Sequence, residues 1–140
     1  MGTRGYYCLC WKGIYYVFYN HWDSYFEGLG EGIRKELAKM TREDFERLKA
    51  NLEKFGEKDI FKCGKRKGFE SLMAAAEKPT EYELVYITEM TPRLEYDREY
   101  LYIVDLDDEL FSCETVHYNE YIEWDLHDIP ENWYPNLDED

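Results

Sequence analysis

Residues 5–20 read GYYCLCWKGIYYVFYN. Two runs of aromatic and β-branched residues flank Lys12-Gly13, a two-residue connection in which Gly13 can supply the positive φ that a primed hairpin turn requires. A β-hairpin follows from this. Nearly every position of both runs is apolar, whereas a strand with one wet face alternates. The pair must therefore be covered on both faces or lie centrally in a sheet.

Helical spacing takes over after the hairpin. Leu29, Ile33, Leu37 and Met40 repeat at close to 3.6 residues, and Thr41-Arg42-Glu43-Asp44 resembles a capping box in which Asp44 stands where Glu or Gln is usual. A second apolar stripe, Phe45, Leu48, Leu52 and Phe55, ends with Gly56 at the expected C′ position. A third helix is predicted over Phe69 to Lys78, stopped by Pro79. The period then changes to strand in ELVYITEM from Glu83, in EYLYIVDL, and in LFSCET after the acidic turn Asp107-Asp108-Glu109. The order gives an α+β domain: an N-terminal hairpin, about three helices, then antiparallel strands in one sheet with the helices on one face. At 140 residues it reads as a single domain, 1–140, whose acidic, aromatic-rich segment 115–140 folds back on it at least as far as Trp133.

Charge narrows the function classes. Residues 1–98 carry 17 basic and 17 acidic side chains, while residues 99–140 carry 14 acidic ones and no Lys or Arg, so the net charge of −14 belongs to the last third. Such a field repels nucleic acid and membrane phosphate and attracts basic protein surfaces. The expected partner is a protein with a basic surface, with no direct nucleic acid and no membrane. The cluster Lys58, Lys62, Lys65, Arg66 and Lys67 reads as a solvated loop. No membrane-length apolar run and no signal-peptide pattern is present, so an intracellular location, cytoplasm or nucleus, is expected. Aromatic excess and sheet edges admit a homodimer.

Cys8, Cys10, Cys63 and Cys113 read as thiols, because nothing directs the chain to an oxidising compartment. The Cys8–Cys10 spacing places both on one strand face, where a chelate with Cys63 and Cys113 is the alternative. Asp105, Asp107, Asp108 and Glu109 lack the twelve-residue calcium-loop pattern and read as a hairpin turn. The sequence predicts neither a metal site nor a cofactor.

The stretch HWDSYFEGLGEG, residues 21–32, is the candidate catalytic region. His21 and Asp23 follow a strand, where a carboxylate can orient an imidazole, and Ser24, Tyr25 or Thr3 could serve as nucleophile or acid. Arg4 is placed to reach Asp23 or Glu27 in an ion pair. Gly28, Gly30 and Gly32 suggest a phosphate cradle, but Glu27 and Glu31 would repel the anion, and the spacing is not that of a dinucleotide fingerprint. MGTRG at residues 1–5 and YNHWDSYFEGLG at residues 19–30 resemble a family of short uncharacterised proteins of fungi, phages and large DNA viruses. EYLYIVDLD at residues 99–107 is similar to their C-terminal strand. Those proteins usually carry proline where Phe26 stands. The resemblance implies no reaction, only positions and a virus–host or defence setting.

The C-terminal third supplies the binding candidates. Tyr118, Tyr121, Trp124 and Trp133 are interleaved with Glu120, Glu123, Asp125 and Asp128, aromatic anchors among acids. The expected function is a small acidic protein-binding module acting through this face. A small hydrolase or transferase centred on His21 and Asp23 is the alternative.

Overall fold

The computed structural model describes residues 3–60, 67–94 and 98–135. Strands β1 (Gly5–Trp11) and β2 (Ile14–Asn20) form the expected hairpin, with Trp11 opposite Ile14 and Gly5 opposite Asn20. Lys12 and Gly13 are both left-handed, at φ 54° and 75°. That is the type I′ pattern, whose twist matches the strands it joins. The Asp107 carboxylate, far along the chain, accepts the Lys12 N–H at 2.7 Å and the Gly13 N–H at 2.8 Å, so the acidic turn braces the first hairpin.

Four more strands, β3 (Leu84–Thr88), β4 (Tyr100–Asp105), β5 (Leu110–Thr115) and β6 (Tyr118–Asp125), complete a six-stranded sheet of order β3-β2-β1-β4-β5-β6. The architecture is α+β, but the sheet is mixed, because β1 and β4 run parallel. Placing β3 outside β2 forces the chain to cross two strands before β4, which a hairpin cannot do. The described parts of that crossover contact the back of the sheet. Leu94 packs against the back-face cluster formed by Tyr6, Cys8, Val17, Tyr19 and Leu101; Tyr15 Oη lies 3.1 Å from Thr91 Oγ1; and the Arg98 guanidinium rests 4.6 Å from the Tyr19 ring centre. The central hairpin is thus covered on both faces, as its unbroken apolar runs require.

Helices α1 (Glu31–Lys39), α2 (Arg42–Leu52) and α3 (Leu72–Glu77) occupy the front face, where Ile33, Leu37, Phe45, Leu48, Leu52 and Leu72 share one core with Tyr7, Leu9, Phe18 and Tyr102. The capping box forms as predicted: Thr41 Oγ1 accepts the Asp44 N–H and the Asp44 carboxylate accepts the Thr41 N–H.

Several local expectations need correction. Entry to α1 is a single π-helical turn, Phe26–Gly30, so Leu29 precedes the α-helix. Gly56 is extended at φ −148° and does not cap α2, which instead tightens at its end through the bonds of Lys54 N–H to Asn51 O and Phe55 N–H to Leu52 O. The third helix is shorter than 69–78. It starts where Ser71 Oγ accepts the Ala74 N–H and the Glu36 carboxylate of α1 accepts those of Leu72 and Met73. Strand β6 is an addition to the predicted set. After it the chain folds back over the front face, with Trp133 only 2% exposed. Cys8 and Cys10 face the back of the sheet, whereas Cys113, paired with Tyr102, lies in the front core, so these three cannot share a chelate. Cys63, Lys62, Lys65 and Arg66 lie outside the described residues.

Candidate functional site

At the strand-to-helix junction, short polar side chains hold the backbone together. Asn20 Nδ2 donates to Ser24 Oγ at 2.9 Å, Asn20 Oδ1 accepts the Phe69 N–H at 3.1 Å, and the Ser24 hydroxyl donates to Asn20 O at 3.1 Å. Ser24 also accepts the Tyr102 hydroxyl on its carbonyl at 2.8 Å and gives its N–H to Thr3 O. Both residues are buried and their polar atoms are satisfied, so Ser24 is a brace with no exposed nucleophile. Two glycines are required by close approach. A Cβ on Gly28 would overlap the Asp23 carbonyl, and one on Gly30 would lie 2.7 Å from Trp133 Cη2. Shape therefore accounts for these glycines without a phosphate.

The predicted catalytic residues occupy neighbouring but separate environments. His21 Nδ1 is 2.7 Å from the Tyr19 hydroxyl, and its ring meets Trp22 edge-on at 4.6 Å. Asp23 is exposed and left-handed at φ 54°, with its carbonyl taking the Leu29 N–H. The Asp23 charge raises the Tyr25 phenol above its ordinary value, which keeps that phenol protonated. Arg4 uses its carbonyl to accept the Glu99 N–H. Among the described residues, no hydrogen bond joins His21 to Asp23 and no ion pair joins Arg4 to Asp23 or Glu27. A cavity of about 320 Å³ opens here, lined by Asn20, Trp22, Asp23, Leu29 and Phe69 among others, while His21, Tyr25 and Arg4 do not line it.

The acidic turn is occupied by backbone donors. Asp105 Oδ1 accepts the N–H groups of Asp107 and Asp108, and Asp107 holds the first hairpin. The Cys10 thiol approaches Asp107 at 3.6 Å, and ligand atoms of Cys10, Asp105 and Asp107 lie within 4.8 Å of one another. Burial first, then the charges of Asp105 and Asp107, push the thiol up to about 12, so it is a weak donor here.

The binding candidates divide between core and surface. Trp133 is core: its ring meets Phe26 and Phe111 edge-on, and its Nε1–H donates to Glu31 at 3.0 Å. Trp124 is half-buried and donates to Trp133 O at 2.9 Å. Tyr121 is 54% exposed, with its hydroxyl bonded to Glu123 at 2.9 Å. Glu123, Asp125 and Asp128 are exposed. The side chains of Tyr118 and Glu120 lie outside the described residues. Pairing places Glu123 opposite Ser112, Asp125 opposite Leu110 and then Asp105, and Glu114 opposite Leu101, so Asp105, Glu114, Glu123 and Asp125 share the back face.

Strand β6, which aligns this surface, is not among the elements expected from the sequence. Its signal is present in the alternation of Tyr121, Glu123 and Asp125 with Ile122 and Trp124. Among the described residues, no helix is long and apolar enough to cross a membrane. Comparison of the chain with protein-family models, curated proteins and solved structures finds no match.

Proposed function

We propose that this chain is a protein-binding module that engages a basic partner surface through the acidic, aromatic strand β6 and its neighbours. The observation that carries this reading is the exposure of Tyr121, Glu123, Asp125 and Asp128 together, in a third of the chain that contains no Lys or Arg. An uncompensated acidic field steers a basic partner towards this end of the sheet, and Tyr121 offers an amphipathic ring at the contact. The two histidines of the described acidic third already face carboxylates, His117 to Glu99 at 2.9 Å and His127 to Glu109 at 2.8 Å.

The test is capture of partner protein by immobilised chain at low and high salt. Reversing Glu123, Asp125 and Asp128 to Lys is expected to weaken capture and flatten its salt dependence, while His21→Ala leaves both unchanged. Undiminished capture after the reversals would refute the reading. The hydrolase or transferase alternative has less support, because His21 is engaged with Tyr19 and stands outside the cavity beside it.

A further inference from the structure

The geometry points to β6 as a strand-addition site: an extended partner segment that alternates basic and apolar residues pairs with its outer edge. This rests on the binding reading above and gives it a mode.

β6 is the terminal strand of the sheet. Leu126 donates its N–H to Glu109 O, so Leu126 and, by alternation, Trp124 and Ile122 direct their backbone groups inward to β5. Glu123 and Asp125 therefore direct theirs to the open edge. The Asp125 carbonyl is taken by the Asp128 N–H at 3.1 Å. The N–H groups of both residues and the Glu123 carbonyl have no backbone partner on that side among the described residues. Unpaired edges of this kind accept a further strand about 4.8 Å away.

The two sides of the edge specify different side chains. On the back face, Glu123 and Asp125 would lie directly across from alternate residues of an added strand, where opposite charge is favourable and like charge is not. On the front face, Ile122 and Trp124, with Trp133, Tyr134 and Pro135, form the apolar part of a cavity of about 410 Å³ at the edge, which Tyr121, Glu123 and Asn132 also line; that apolar part suits the intervening apolar residues. A second copy of this chain is a poor occupant, because pairing β6 with itself sets carboxylate against carboxylate.

The probe is a ten-residue peptide alternating arginine and valine. Its control is the same peptide N-methylated at the residues whose amides would face β6, which keeps charge and side chains but removes the pairing donors. Calorimetry is expected to show binding of the first peptide and roughly tenfold or greater loss with the second. Amide exchange at Glu123 and Asp125 should slow only with the first. Equal affinity for the two peptides, still abolished by Glu123→Lys with Asp125→Lys, would overturn strand addition and leave the binding reading intact. Failure of both peptides to bind at low salt would overturn both readings. A dimer in sedimentation whose Glu123 and Asp125 amides are protected without peptide would overturn the proposal in favour of a second copy at this edge.

Discussion

Trp133 shows how much one side chain can hold. Its ring fills space that Gly30 leaves vacant and packs among Phe26, Tyr102, Phe111 and Tyr134, and its Nε1–H meets Glu31, 102 residues away. Trp133→Ala is expected to cost about 3–5 kcal/mol in urea unfolding; a cost below about 1 kcal/mol would contradict its place in the core. Glu31 adds a pH signature. Hydrogen bonding from Arg34, at 2.6 and 3.0 Å, outweighs burial and, with Trp133, lowers the Glu31 carboxyl below its ordinary value. A lowered folded value means stability that is present above the unfolded value and lost as pH falls through the folded one. Unfolding measured from pH 7 down to about pH 3 should show this loss, and Glu31→Gln should reduce its slope. The aromatic residues of its segment signal a fold-back as far as Trp133, but not the depth of its burial. Glu131 nearby and the acids beyond made it resemble a surface anchor, and the deciding partner, Gly30, is distant.

Elements were legible where their causes are local. The Thr41–Asp44 capping box and the Lys12-Gly13 turn lie within four residues of the geometry they set, and both form as read. Gly56 failed as a guide because α2 closes its last turn through its own carbonyls before the glycine is reached. Strand β6 is hard to read because acids and aromatic residues are mixed through 115–135, although the alternation at 121–125 is that of a half-buried strand. The bracing of the first hairpin by Asp107 is another long-range cause. Burial raises the Asp107 carboxyl, but the N–H groups of Gly13 and Lys12 more than offset it and the net shift is downward. Asp107→Ala is expected to lose about 1–2 kcal/mol by chemical denaturation, with NMR changes centred on the Lys12-Gly13 turn. An unchanged turn would show that the brace is dispensable.

At the scale of the molecule, sequence pattern identified two central strands and a layer of helices. It could not order the sheet. That β3 lies outside β2, and that β4 therefore runs parallel to β1, follows from a crossover whose contacts, Leu94 and Arg98 on the back face, are non-local. The same order makes β6 an edge and gathers the acids of β4, β5 and β6 on one face. The candidate site at residues 21–32 was legible as a place, and its buried polar side chains proved to serve the junction. The acidic third was legible as a charge imbalance, but its division into core rings and exposed acids required the sheet.

The most direct test of the account is to titrate isotope-labelled protein with the alternating arginine–valine peptide and map backbone amide shifts. The account predicts changes concentrated on Tyr121–Asp125, diminishing as salt is raised. Changes centred instead on the cavity of Asn20, Trp22 and Asp23, or none on β6, would contradict it.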